Sequence, residues 1–222
     1  MFVSKSMSKN VVTIHKDAGI REAMDKMARH RFRHLPVVEP DNRLIGIVTD
    51  RDIRSALPSG RLPDDVEGDN QESLSGIKIK DIMTPDPVTA SLSYTIQDAL
   101  LLIQEKRVGA LPVVDEQNFL KGIITVRDLL RAFINVLGIG EPGTLICIIV
   151  EEKVGQMKKI VDAITEENIS FGSILVSRYW ETDKRVVFPY LLTQNVGPVK
   201  RKLKKMGYTL LDPMDWHMDQ LS

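Results

Sequence analysis

Leu35-Pro36-Val37-Val38, followed by Gly46-Ile47-Val48-Thr49-Asp50-Arg51-Asp52, is the stretch whose reading decides the fold, because it occurs twice. Leu111-Pro112-Val113-Val114 and Gly122-Ile123-Ile124-Thr125-Val126-Arg127-Asp128 repeat it at one offset (111 − 35 = 128 − 52 = 76) with no gap. The match runs from Met7/Met83 to Ile53/Leu129, and 17 of the 47 aligned positions are identical. An internal duplication is therefore the first fact to explain.

Each copy reads as one supersecondary unit. Val11–Ile14 is a short β-rich run, followed by a helix with Ile20, Ala23, Met24, Met27 and Ala28 on one face. Leu35–Val38 and Leu44–Val48 are apolar strands joined by the turn Pro40-Asp41-Asn42. From Asp50 a second helix opens, with Thr49 as its N-cap. Copy two repeats the pattern, with Ile96, Ala99, Leu100 and Ile103 as its helix stripe. So small a unit exposes an apolar face, and two copies packed together bury it. Phe2–Lys5 and Ile77–Lys80 read as short strands entering the copies.

Composition excludes several classes. Thirty basic against thirty acidic residues argue against nucleic-acid affinity. No run approaches 18 uninterrupted apolar residues, and the N-terminus has no signal-peptide core, so no membrane partner is expected. The lone Cys147 cannot make an internal disulfide, which fits a cytoplasmic protein and a buried core thiol. There is no P-loop, dinucleotide fingerprint, nucleophile elbow or metal cluster, so neither catalysis nor a cofactor is expected. His30 and His34 lack a third ligand for a metal. Lys200-Arg201-Lys202 with Lys204-Lys205 reads as a solvated helix end, and Trp180 and Trp216 lack the basic neighbours of a single-strand platform.

The β-α-β-β-α order, the apolar-Pro-Val-Val strand, the Gly-apolar-apolar-Thr-x-x-Asp ending and the Asp81–Thr84 run together resemble a tandem pair of CBS domains, over about residues 1–135. After Leu129–Leu137, with Leu129, Leu130, Phe133, Ile134 and Leu137 as its stripe, Gly138 to Gly143 stop the helix. Thr144–Val150, Ile169–Tyr179, Arg185–Leu192 and Tyr208–Leu211 then read as strands, and Gly155–Glu167 (Met157, Ile160, Val161 and Ile164 inward) and Val196–Met206 as helices. That β-α-β-β-α-β order is the ferredoxin-like arrangement. Set after a CBS pair it resembles an ACT domain, and the whole order is similar to that of the acetoin-utilisation family. The fold class is thus α+β: CBS repeat 1 over 1–54, an acidic linker over 55–76, CBS repeat 2 over 77–137, a hinge over 138–143, an ACT-like domain over 144–213 and a tail over 214–222.

The resemblance implies a regulatory protein with an adenosine nucleotide between the repeats. Asp52 and Asp128 suit a ribose, whose neighbouring hydroxyls a carboxylate accepts, and Thr49 and Thr125 offer hydroxyls to phosphate. Alternatively the two acids only complement the dipole of a first helical turn. Arg33-His34 sits where some family members keep phosphate ligands. Gly109-Ala110, its counterpart, is a small pair that leaves room for an adenine ring, so one polyphosphate-competent cleft and one that is empty or selective for a small ligand are expected. Arg51 and Arg127 reach phosphate or face solvent, and Thr13 and Thr89 complete the candidate set. In the ACT-like part Val154-Gly155-Gln156-Met157 stands at the family's effector loop, with Val154 where proline is expected. It serves either a small metabolite or only a tight turn. Both module types imply a homodimer, and a partner enzyme is the remaining expected partner; an adaptor without a small ligand is the alternative.

Overall fold

A computed structural model of the protein describes residues 1–57, 76–178 and 183–211. The linker from residue 58 to 75, Trp180, Trp216 and the 214–222 tail lie outside the described residues. The chain forms two compact units, Met1–Leu130 and Arg131–Ser222.

In the first unit each repeat carries a helix, α2 (Ile20–His30) or α5 (Ile96–Lys106), then a hairpin, β1 (His34–Val38) with β2 (Leu44–Thr49) or β5 (Ala110–Val114) with β6 (Leu120–Thr125). A closing helix follows, α3 (Asp50–Ala56) or α6 (Val126–Leu137). The apolar positions of the repeat become its cores: Ile20, Ala23, Leu35, Val37, Val48 and Ile53 are buried, and so are Ile96, Ala99, Leu111, Val113, Ile124 and Leu129. Leu100 and Leu130, expected on the buried stripes, are exposed instead. Each directly follows a buried residue, Ala99 or Leu129, and so lies about 100° round the helix from it.

The segments entering the repeats are not strands. Val3–Ser6 (α1) and Ile79–Ile82 (α4) are single helical turns, closed by Met7 N–H on the Val3 carbonyl and Met83 N–H on the Ile79 carbonyl. A two- or three-residue alternation fits a helical turn as well as a strand, and burial of Val3 and Ile79 decides between them. The Val11–Ile14 run contributes only Ile14, which bridges β1 at Val37; its counterpart Ala90–Ser91 (β4) pairs parallel with β5.

These entering segments are exchanged between the repeats. Ile79, which precedes repeat 2, packs in the core of repeat 1 with Ile14, Ile20 and Leu35. Thr84–Pro85 (β3) then pairs with Ile47 and Gly46 of β2. Reciprocally, Val3 N–H bonds the Tyr94 carbonyl, and Ser8 pairs with Ile123 of β6. Both motif glycines face this exchange: a Cβ at Gly46 would meet Met83 Sδ at 2.7 Å, and one at Gly122 would meet Met7 Sδ at 2.4 Å. The hairpin turns clasp each other as well. Asn42 Nδ2 donates to the Leu120 carbonyl and Asn118 Nδ2 to the Leu44 carbonyl, each at 2.9 Å.

The second unit is an antiparallel sheet. β8 (Cys147–Glu151), with the short β7 (Thr144–Leu145) before it, pairs with β10 (Lys184–Leu191) on one side and β11 (Thr209–Leu211) on the other, while β9 (Phe171–Arg178) pairs with the far edge of β10. Helices α7 (Gln156–Thr165) and α8 (Gly197–Lys205) bury Ile160, Ile164, Val199 and Leu203 in the same core as Ile148 and Val187. Met157, expected inward, is exposed. The 138–143 segment lies along this sheet: Gly138, at φ 66°, abuts Gly172, and Tyr190 Oη donates to the Glu141 carbonyl at 2.6 Å. Cys147 is a buried thiol whose pKa burial raises.

Candidate functional site

The hairpin register sets His34 opposite Thr49, at the point where β2 turns into α3. Here Thr49 and Asp52 form a capping box. Thr49 N–H and Oγ1–H both donate to Asp52 Oδ2, at 2.8 and 2.7 Å, and Asp52 N–H returns a bond to Thr49 Oγ1 at 3.3 Å. The expected helix-cap role is therefore real, and it consumes the threonine hydroxyl. It leaves Asp52 Oδ1 without a partner among the described residues.

Around this corner lies a cleft of about 460 Å³, a size suited to a small organic ligand. Repeat 1 contributes Arg33, His34, Ile47, Thr49 and, from the first turns of α3, Asp50, Arg51, Asp52 and Arg54. The exchanged segment adds Thr84, Asp86, Pro87 and Val88, held along β2 by the β3 pairing. Repeat 2 adds Arg107, Val108, Gly109 and Ala110.

Of the residues expected from sequence, Arg33, His34, Thr49, Arg51, Asp52, Gly109 and Ala110 come together here. The two pairs assigned to separate clefts face each other in one. The room over Gly109 is not open for a ring, because the His34 imidazole occupies it: a Cβ on Gly109 would lie 2.7 Å from His34 Nε2. Thr13 and Thr89 do not line the cleft; the Thr13 carbonyl accepts from Lys26 Nζ instead. Thr125, Arg127 and Asp128 lie outside it too, and Thr125 with Asp128 builds the same capping box in repeat 2. Val154–Met157 belongs to the second unit, where Gly155 caps α7 at φ 92° and Val154 is fully exposed.

Arg54, Arg107 and the 84–88 segment were missed. Arg107 carries a signal, since its counterpart Arg31 is identical and both adopt φ near 55°. The exchanged segment carries none, because its placement depends on contacts far away in the chain.

The cleft holds four arginines and three aspartates. Arg54 is paired with Asp50 at 2.9 Å. Arg33, Arg51 and Arg107 have no carboxylate partner among the described residues. Burial, and then the charge of Arg33, hold the His34 pKa below its ordinary 6.5, while Asp52 opposes the shift. The imidazole is therefore neutral at neutral pH. Because its folded pKa is depressed, its contribution to stability is complete above pH 6.5 and is lost as pH falls through the folded value. Chemical denaturation between pH 7.5 and 5 is expected to show this loss, and His34→Gln to flatten it; an unchanged profile in the variant would assign the loss elsewhere.

The duplicated β-α-β-β-α unit and its Thr-x-x-Asp corners define a CBS pair. The CBS domain family model matches residues 3–59 and 79–135, and the chain belongs to that family. A CBS domain-containing protein of Dictyostelium discoideum is 38% identical over 137 residues, which cover 62% of this chain and 94% of that one. Similar solved structures include the CBS pair of protein MJ0100 in complex with 5-methylthioadenosine and S-adenosyl-L-methionine (28% identity, TM-score 0.50, 60% of this chain and 95% of that one). CBSX2 in complex with AMP is 27% identical with a TM-score of 0.50, over 60% of this chain and 96% of its own. The acetoin utilization protein AcuB of Vibrio cholerae is 25% identical with a TM-score of 0.53, over 64% of this chain and 98% of its own. Of a relative named as an enzyme, the inosine-5'-monophosphate dehydrogenase of Methanocaldococcus jannaschii, the match spans only 22% of the length. Among the described residues no helix is long and apolar enough to cross a membrane, and no cluster of side chains could hold a metal ion.

Proposed function

We propose that the protein is a non-catalytic regulator that binds an adenosine nucleotide, or a related adenosyl ligand, in the cleft between its repeats. The observation that carries this reading is the corner at Thr49: the capping box leaves Asp52 Oδ1 available in a ligand-sized cleft lined with arginines. Asp52 Oδ1 accepts ribose hydroxyls. Thr49 fixes that carboxylate, and since its own hydroxyl is spent there, phosphate falls to the arginines. The adenosyl compounds bound by the solved relatives support the choice of ligand class. Occupancy then favours one arrangement of the two repeats, because the cleft is built from both.

The second unit supports a ferredoxin-like, ACT-type reading through its strand order β11-β8-β10-β9, all antiparallel. Open space around Gly155 suits either a metabolite at that loop or a turn alone. A cytoplasmic homodimer regulating a partner enzyme completes the proposal. Leu100 and Leu101 of α5, with Val126 and Leu130 at the start of α6, are exposed apolar side chains that a second copy would cover. Sedimentation as a monomer at micromolar concentration would remove that part.

A thermal-shift series with adenosine, AMP, ADP, ATP and S-adenosylmethionine tests the ligand. A compound at about 100 times its Kd adds roughly 2.7 kcal/mol. Asp52→Ala also removes the reciprocal half of the capping box, at about 1 kcal/mol, so the quantity to compare is the shift on adding ligand. That shift is expected to vanish in Asp52→Ala. A full shift in the variant would place the ligand elsewhere, and a protein unmoved by every compound would be an adaptor without a small ligand.

A further inference from the structure

The duplication breaks at one pair of positions in the cleft. Gly109-Ala110 of repeat 2 stands at the offset of Arg33-His34 in repeat 1. The imidazole that one repeat carries lies on the glycine that the other carries: a Cβ at Gly109 would meet His34 Nε2 at 2.7 Å and Cε1 at 3.0 Å. Ala110, in the place of His34, has no side chain long enough to return the contact, so the ring joins the repeats on one side only. The backbone on both sides is held. The Arg33 carbonyl accepts from Asp50 N–H at 3.0 Å, and the Gly109 carbonyl from Val126 N–H at 3.2 Å. The ring is not held in this way, since among the described residues neither of its nitrogens has a hydrogen-bond partner. It can turn to another rotamer at the cost of packing alone.

A proton on the seated ring is poorly placed. Arg33 lies beside it, Arg51 and Arg54 come from α3, and Arg107 is the C-cap of α5. Three carboxylates oppose them: Asp50 is already paired with Arg54, Asp52 has one oxygen taken up by Thr49, and Asp86 comes from the exchanged segment. Burial and the Arg33 charge hold the His34 pKa below 6.5 against the pull of Asp52. Since the seated ring binds a proton less well than a hydrated one, protonation favours the hydrated arrangement by the same free energy.

We propose that His34 is a proton-operated plug between the repeats: neutral, it fills the room over Gly109, and on taking a proton from solvent it swings out, opening that room and releasing its contact across the repeats. What the cleft admits against Gly109 then depends on pH, whichever ligand it takes, so the inference does not rest on the adenosyl reading.

NMR of the full chain without ligand, labelled at histidine and glycine and taken from about pH 8 to about pH 5, tests it. Loss of a signal in His34→Gln assigns the His34 ring. At the alkaline end a nuclear Overhauser effect is expected between the His34 ring protons and the Gly109 α-protons. It is expected to fade along the His34 titration, whose midpoint should lie below 6.5. Gly109→Ala sets a methyl group where the far end of the ring lies, so the ring is expected to be displaced at every pH and its midpoint to rise toward 6.5. A ring contact that persists once His34 is protonated would overturn the plug, and so would a midpoint that Gly109→Ala leaves unmoved. The first readout needs only the unaltered chain and the assignment, so it decides even if the alanine variant does not fold.

Discussion

Gly122→Val is expected to destabilise the repeat unit by about 3 kcal/mol, at the upper end of overpacking costs. A Cβ at this position would lie 2.4 Å from Met7 Sδ and 3.0 Å from the Ser8 carbonyl oxygen. A thioether can swing aside, but the Ser8 carbonyl accepts from Ile123 N–H at 3.0 Å, and Ser8 N–H bonds the Ile123 carbonyl at 2.9 Å. Making room therefore pulls the exchanged segment off β6. Met7→Ala in the same chain should recover only part of the loss. Gly140→Ala, where nothing lies within 4 Å, serves as the control and should be near neutral. Hydrogen exchange over peptides from residues 1–57 and 76–130 reads the effect. Full rescue by Met7→Ala would show that only side-chain crowding, and not the crossed backbone pairing, is at stake.

The paired variant Asn42→Ala, Asn118→Ala should cost about 4–6 kcal/mol in the same unit. Each asparagine donates across to the other hairpin, and its carbonyl accepts in return: Leu44 N–H bonds the Asn118 carbonyl at 3.0 Å and Leu120 N–H the Asn42 carbonyl at 3.1 Å. Each side-chain bond contributes about 1 kcal/mol. Each residue also sits in the left-handed region, φ 69° and 65°, which costs alanine about another 1–2 kcal/mol. Asn→Gly at both positions keeps the backbone conformation and loses the clasp, so it should recover roughly half of the deficit. Two alanine variants that lose no more than their glycine counterparts would show that only the clasp contributes.

Much of the first unit was legible in advance. A repeat at one fixed offset, with apolar residues at helical and strand periods, places Ile20, Leu35, Val48 and their counterparts in cores before any coordinate is known. The Thr49 cap was legible for the same reason, since a capping box is written within four residues. The strands expected over Phe2–Lys5 and Ile77–Lys80 are helical turns instead, because alternation that short fits both elements and burial of Val3 and Ile79 against the other repeat breaks the tie.

The sequence by itself determined which residues repeat, and hence the two cores and the two Thr-x-x-Asp corners, because local periodicity and capping are short-range physics. Only the tertiary structure decided that the entering segments cross over, that Arg107 and the 84–88 segment join Asp52 in one cleft, and that the His34 imidazole covers Gly109. Those facts depend on pairing between residues tens of positions apart, for which backbone hydrogen bonds and packing, but no local pattern, supply the free energy.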